Sequence, residues 1–351
     1  MSSVSVEGER LWHRVVQSAT LAPSVHNTQP WHFVIVDDQT LEIYADGSRQ
    51  LPVLDPFGRQ MLISVGCALF NARVELALQG YEPEVQLFPD RGQANLVASL
   101  RIPAQKQPWL PIVDYATAVG LRHTNRRPFE DETVPPSVVH DLVQAAQQEH
   151  GILVEITRPE DLLAVSRLSR HADHAQNSNA AYRSELRNWT TDDSTRPDGV
   201  SSQLVPRVDG PSRDDVPIRD FDVRGNAWLP SHTRSTVKQC LMLLGTKDDD
   251  RESWLHAGEA LERVLLAATL AGYSASPLTQ VIEVPHTRER LQDELGLSWH
   301  PHLLLRLGRA AKTSPSRRRP LTDVLTNRSI VQPGQDLRPS SPSPARSSVE
   351  G

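Results

Sequence analysis

Apolar residues recur at helical spacing in some stretches of this 351-residue chain and alternate in others, and the two patterns divide it into elements. Residues 9–22 predict a helix that stops before Pro23. A short apolar run at 32–36, a polar turn at Asp37, Asp38 and Gln39, and alternation over 41–44 predict a strand pair. Residues 59–80 carry Leu62, Val65, Leu69, Ala72, Leu76 and Ala77 at helical spacing, with Gly80 placed to end the helix. Strands are expected at 84–88 and 95–102. Beyond Asp114 the reading continues with a helix at 136–150 that has proline in its first turn, a strand at 153–157 and a largely helical stretch over 159–189. A strong helix follows at 254–270, closed by Gly272, and a terminal strand at 302–307. Residues 190–230, rich in Asp, Ser, Arg and Pro, show no period and read as a long loop or lid. Prolines crowd the late part of the chain, and from about Gln332 the composition predicts disorder.

Two of the helices resemble each other. Gly66, Ala68 and Leu69 of the first align without a gap on Gly258, Ala260 and Leu261 of the second. At the same offset, both helices run into Gly-Tyr, at Gly80–Tyr81 and Gly272–Tyr273. Two amphipathic helices can agree this far by chance; two related halves, each donating one long central helix, is the better reading.

Bulk properties narrow the function classes. With 38% apolar and 23% charged residues the composition is that of a globular protein, and a net charge of -6 does not favour a nucleic-acid partner. Cys67 and Cys240 lie far apart in apolar surroundings, so neither a disulfide framework nor a cysteine metal site is expected. The first fifteen residues have no apolar signal core, and the longest strongly apolar run, 264–273, is far short of the roughly 20 residues of a membrane span. A cytoplasmic protein is expected. His171 and His174 share a helix side but have no third ligand, and no metal site is expected. There is no GxGxxG after a strand and no GxxxxGK[ST], so neither a Rossmann nor a P-loop site is supported.

Four strings carry chemistry. In APSVHNTQPW (22–31), Pro23 and Pro30 stiffen a loop of short polar groups, which suits a planar heterocycle; a surface loop with ordinary turn chemistry would read similarly. His26 within it is either a substrate contact or a spacer. In LRHTNRRPF (121–129), Arg122, His123, Arg126 and Arg127 give the clustered donors a phosphate needs, or else a solvated basic loop. Residues 272–278, after the second long helix, form a loop of small residues that permits close backbone approach to a ligand. Arg317, Arg318 and Arg319 form a basic run, either a phosphate contact or a solvated edge of the tail.

The first string resembles the motif of the flavin-dependent nitroreductase family, and the second resembles that family's opening RxSxRxF-like motif, with Thr124 keeping the hydroxyl. The resemblance implies FMN as cofactor. Pro23, Ser24, Val25 and Asn27 would contact it from across a dimer interface. Arg122, His123, Thr124 and Arg126 would grip its phosphate and ribityl chain. Ser274, Ala275, Ser276, Pro277 and Leu278 would run along the isoalloxazine ring, and one of Arg317, Arg318 or Arg319 would reach the phosphate. In ordinary members both motifs sit in one chain and two chains pair. Here each half holds the motif the other lacks. The layout is similar to the fused Acg subfamily known from actinobacteria.

The expected fold is therefore α+β and nitroreductase-like, with halves at 1–112 and 113–325 joined as an intramolecular pseudo-dimer and a disordered tail at 326–351. One FMN per chain is expected, the second site being degenerate. The implied function is NAD(P)H-dependent reduction of nitro or quinone compounds. The alternative is an FMN-sequestering protein whose lid covers the flavin and which turns over little; a third reading is an interaction module that has lost flavin. No catalytic side chain is implied, because the flavin carries the chemistry. The partners implied are small molecules, with no nucleic acid or membrane, and pairing of the fused chains is left open.

Overall fold

The computed structural model describes residues 4–127, 129–207, 216–224 and 240–328. Helix α1 (Val6–Thr20) starts at Ser5, whose hydroxyl accepts the Gly8 N–H. Strands β1 (Trp31–Asp37) and β2 (Thr40–Ala45) form the expected hairpin. Helix α2 (Arg59–Leu78) is followed by β3 (Glu84–Leu87) and β4 (Leu96–Arg101). After the short α3 (Ala116–Val119) come α4 (Pro136–Gln147) and β5 (Ile152–Glu155). The stretch expected to be largely helical divides into α5 (Pro159–Ser178) and α6 (Ala180–Asn188). Asn179 adopts an extended backbone between them and caps the second through its side chain.

Residues 190–207 contain only the two-residue strands β6 (Thr190–Thr191) and β7 (Val200–Ser201) and one 3-10 turn. The chain continues with β8 (Cys240–Thr246), α7 (Arg251–Leu270), β9 (Ser274–Pro277), α8 (Gln280–Glu283), α9 (Pro285–Glu294), β10 (His300–Gly308), α10 (Leu321–Val324) and β11 (Leu325–Asn327).

Two antiparallel sheets share one order. The first runs β1-β2-β4-β3, the second β5-β8-β10-β9, and in each a long helix follows the second strand. The halves inferred from two helices thus repeat as whole topologies. β11 then adds to the outer edge of β1, parallel to it, and carries the end of the second half onto the first sheet.

The halves meet where α2 crosses α7. Gly66 and Gly258 face each other there: a Cβ on Gly66 would lie 2.1 Å from the Leu255 carbonyl oxygen, and one on Gly258 would lie 2.1 Å from that of Ile63. The reciprocal contact is that of a local two-fold, and only glycine permits it. Cys67 adds a contact to the Gly258 carbonyl oxygen at 3.2 Å. Both helices end alike. Gly80 (φ 85°) and Gly272 (φ 79°) take the left-handed conformation, and Tyr81 and Tyr273 each donate 2.8 Å bonds back into the last turn. One continuous core contains Trp12 and Phe33 of the first half with Leu255 and Leu305 of the second. α2 has the length and hydropathy of a membrane span, but most of it is buried within this core.

Three sequence expectations are corrected. The loop expected at 272–278 holds an edge strand, β9, paired with β10 through Ser276 and Arg306; Ser-Ala-Ser-Pro has little intrinsic strand signal and is ordered by its neighbour. The strand near 302–307 is not terminal, because β11 follows it. Thr326 and Asn327, assigned to the tail, therefore pair with Val34 and Ile35. β8 was not anticipated: its uninterrupted apolar run has no alternation because the strand is buried throughout. The expected disorder from Gln332 onward lies outside the described residues, as do 208–215 and 225–230 of the expected lid.

Candidate functional site

The site begins at the end of α1. Pro23 and Pro30 bracket a loop in which His26, Asn27 and Gln29 all have positive φ, at 46°, 54° and 51°. Each costs on the order of 1 kcal/mol, so three within four residues mark a loop held in shape by its surroundings. Ser24 supplies two of the holds, accepting the Gln29 N–H on its hydroxyl and the Asn27 N–H on its carbonyl. The Ser64 hydroxyl of α2 accepts the Val25 N–H at 3.1 Å. Loop 190–207 supplies more: the Asn27 amide donates to the Gly199 carbonyl, the Gly199 N–H returns the bond, and Gln29 donates to Pro197.

The carbonyls left free at the C-terminal end of α1 collect two arginines. Arg318 donates to Thr20, Leu21 and Ala22, and Arg122 donates to Leu21. Cations are favoured there by the helix dipole. Arg318 also donates to the Asn27 side-chain oxygen at 3.2 Å. Arg122 stands 3.4 Å from the buried carboxylate of Glu262. Burial holds the Glu262 carboxyl above the usual range, against the pull of Arg122 and Asn71. Burial, reinforced by Arg122, pushes the Arg318 guanidinium down to about 9, a cost that an arriving anion would relieve.

The segment after Arg122 is pinned along the free edge of β9. Thr124 bridges Ala275, and the Asn125 N–H donates to the Ala275 carbonyl. This places Arg126 inside the molecule, where it has no hydrogen bond or ion pair among the described residues. Burial, with Arg219 adding to it, lowers its guanidinium to about 10.

These parts enclose a cavity with two lobes that share Pro23, Ser24, Thr124 and Arg126. The smaller lobe is lined by Asn27, Arg122, His123, Ser314, Ser316 and Arg318. The larger, with about 750 Å³ of empty space including its mouth, lies over α2 and β9, against Ile63, Ser64, Cys67, Ser276 and Pro277. Residues 216–224 reach over it. Phe221 lies 5.0 Å from the Arg126 guanidinium and edge-on to the His26 ring at 5.5 Å. Arg219 anchors this segment through a buried ion pair with Glu283 at 2.5 Å and bonds to Thr279 and Tyr182. Among the described residues no carboxylate lines either lobe.

The matching position across the local two-fold is different. Where Ser64 and Cys67 line the first cavity, α7 presents His256 and Glu259. Arg73 bridges Glu149 and Glu259 at 2.6 Å each, and Arg263 pairs with Glu149. These ion-paired residues line a second cavity, with about 1200 Å³ of empty space including its mouth, whose walls carry the carboxylates Glu149 and Glu259 where the first has none.

Of the predicted site residues, the structure gathers Pro23, Ser24, Val25, Asn27, Arg122, His123, Thr124, Arg126, Ser276, Pro277 and Arg318 around the two lobes. Five expected residues do not line it. Leu278, just beyond the end of β9, packs into the core cluster of α5, α8 and α9. Ser274 pairs with Gly308 at the far end of the strand, and Ala275 serves through its backbone. Arg317 is exposed and offers only its carbonyl to Asn27, and Arg319 is spent on Gln29 and Asp323. The sequence reading missed Arg219 and Phe221 in the expected lid and Ser64 and Cys67 on α2. Their link to the site is made only by long-range packing.

Two buried histidines make stability depend on pH. His26 is held well below the ordinary value by burial and then by Arg219 and Arg126. His302 is held low by burial and then by Arg288 and Arg59. The unfolded chain therefore takes up protons on them below about pH 6.5 while the folded one does not. Their stabilisation is complete above that pH and is lost as pH falls below it, by up to about 1.4 kcal/mol per pH unit for each group. Thermal midpoints should drop from pH 7 to 5.5, and His302→Gln should reduce the slope. A slope unchanged in that variant would remove His302 from the account.

No family model matches the chain. A Mycobacterium tuberculosis protein named "Putative NAD(P)H nitroreductase acg" is 32% identical over 329 residues, covering 88% of this chain and 93% of that protein. A second M. tuberculosis protein, also named a "Putative NAD(P)H nitroreductase", is 31% identical over 321 residues, covering 89% and 90%. Among solved structures, an FMN-bound nitroreductase from Desulfitobacterium hafniense aligns with 60% of this chain and 96% of its own, at 11% identity and a TM-score of 0.39. The two-half topology and the cavity between the halves thus occur in a chain that belongs to the Acg family of nitroreductase-like proteins.

Proposed function

We propose that this chain is an FMN-dependent oxidoreductase that draws electrons from NAD(P)H and reduces nitro or quinone compounds, with one FMN per chain. The observation that carries the reading is the charge layout of the cavity: Arg122, Arg126, His123 and Arg318 line it and no carboxylate does, among the described residues. A dianionic phosphate joined to a planar ring fits that division into a basic lobe and a larger, less polar one. An orphaned group fits it too, since neither ring nitrogen of the buried His26 has a hydrogen-bond partner among the described residues. The names of the relatives support the same reaction class.

Arg122, His123 and Arg318 would hold the phosphate, with Thr124 and Arg126 at the junction. The Pro23–Ser24–Val25 backbone and Ser276–Pro277 would flank the ring. Two-electron transfer is the chemistry that such a group supplies when bound. The chain's residues bind and orient, and in the cavity at the matching position the carboxylates Glu149 and Glu259, paired with Arg73, would disfavour a phosphate. Both faces of the cavity come from one chain, so a single chain is the working unit. The same reading places the protein in the cytoplasm and calls for no nucleic-acid or membrane partner.

A second reading, FMN sequestration with little turnover, is favoured by one observation: Ile218, Arg219 and Phe221 close over the larger lobe, and Arg219 is tied down by Glu283. One experiment separates the two. The protein is loaded with FMN, and the flavin released on denaturation is counted against chains; a ratio near one is expected, and a ratio near two would overturn the single-site reading. NADPH is then added anaerobically. Rapid bleaching of the flavin band supports the reductase, a band that persists supports sequestration, and failure to load flavin overturns both.

A further inference from the structure

We infer that His26 is the ring-edge contact of this cavity, its imidazole hydrogen-bonding to the polar rim of the planar ring bound there. The inference rests on the FMN reading above. His26 is 7% exposed and lines the larger lobe, yet neither of its ring nitrogens has a hydrogen-bond partner among the described residues. Other histidines of this protein that face inward are bonded: His302 has Thr246 at 2.6 Å and Arg288 at 3.3 Å, and His32 has Thr326 at 2.8 Å. A histidine used only for packing would be expected to follow them.

The backbone supports the same assignment. His26 has φ 46° and ψ 24°, a conformation held by the Asn27 N–H on Ser24 and the Thr28 N–H on Val25. Strain of this kind persists where the surroundings fix it, and it is concentrated at ligand sites. The nearest ring, Phe221, meets the imidazole at 78°, an edge contact that gives its nitrogens no hydrogen bond. Burial and the two nearby arginines, Arg219 and Arg126, keep the imidazole unprotonated. It therefore offers one donor and one acceptor. That pair matches a heteroaromatic edge on which N–H groups alternate with carbonyls, as the pyrimidine edge of a flavin does. The phosphate end is served separately by Arg122 and Arg318, so the two ends can be tested apart.

The test compares parent, His26→Phe and His26→Asn, each titrated with FMN and with riboflavin, which lacks the phosphate. Flavin fluorescence gives Kd, and the absorption band reports the surroundings of the ring. His26→Phe should weaken both flavins by the same factor, about threefold to tenfold for one lost hydrogen bond, and shift the band. His26→Asn should recover most of the affinity, because Asn tolerates the left-handed backbone and keeps a donor and an acceptor. Unchanged affinity and band in the Phe variant would overturn the inference and leave the FMN reading intact. Equal weakening in both variants with an unmoved band would also overturn it, assigning His26 to loop shape. A parent that binds neither flavin overturns the cofactor reading itself.

Discussion

Replacing Gly258 with alanine is expected to lower the stability of the whole protein by about 3 kcal/mol or more, the upper end of what overpacking costs. The new Cβ would sit 2.1 Å from the Ile63 carbonyl oxygen and 2.8 Å from the Gly66 Cα. Both obstacles are backbone in the middle of a helix, so no side-chain rotation relieves the clash. α2 and α7 must separate, and the core around Leu69 and Leu255 must open with them. Gly66→Ala should cost a similar amount, because its Cβ would meet Leu255 in the reciprocal way. The double variant should cost clearly less than the sum, since one added Cβ already moves the helices apart. Urea unfolding of the three variants provides the measurement. Midpoints equal to the parent's would mean that the two helices do not depend on close approach at this point.

Arg318→Ala is expected to weaken FMN binding by about 10- to 150-fold, the range for losing a hydrogen bond to a charged group, about 1.5–3 kcal/mol. Arg317→Ala should leave the affinity unchanged, because that residue is exposed and does not line the cavity. Arg318→Lys should recover only part of the loss. A lysine keeps the charge but cannot span the Thr20, Leu21 and Ala22 carbonyls as the guanidinium does while also meeting a phosphate. Riboflavin affinity should hardly change in any of the three. An Arg318→Ala protein that retains parent FMN affinity would show that the lobe at the end of α1 is not the phosphate end.

The sequence carried the local parts of this site well and the assembled parts poorly. The loop between Pro23 and Pro30 and the run Arg122–Arg126 announce themselves because turn residues and clustered donors are read over a few positions. The matched glycines at 66 and 258 gave away the two-half plan because a helix crossing requires small residues at fixed places. By contrast, β9 and β11 are ordered by pairing with distant strands, and their own residues say little. The choice of Arg318 over its neighbours depends on where the carbonyls of Thr20–Ala22 end up, almost 300 residues earlier in the chain. Arg219 and Phe221 sit in a stretch with no period, and only packing against Glu283 and His26 gives them a place at the cavity. The strain at His26, Asn27 and Gln29 has no signature in residue type beyond the tolerance of Asn and His for that backbone region.

β11 gives the fusion of the halves a further consequence. A cavity built between two separate chains is subject to mass action: diluting the protein parts the walls, and cofactor occupancy falls with subunit concentration. Here the segment that carries Arg318 runs on into a strand bound to the first half's sheet, so the two walls stay at the effective concentration set by a short tether. At a fixed free FMN concentration, occupancy should therefore be independent of the protein concentration. Each wall can also change without the change being copied onto its counterpart.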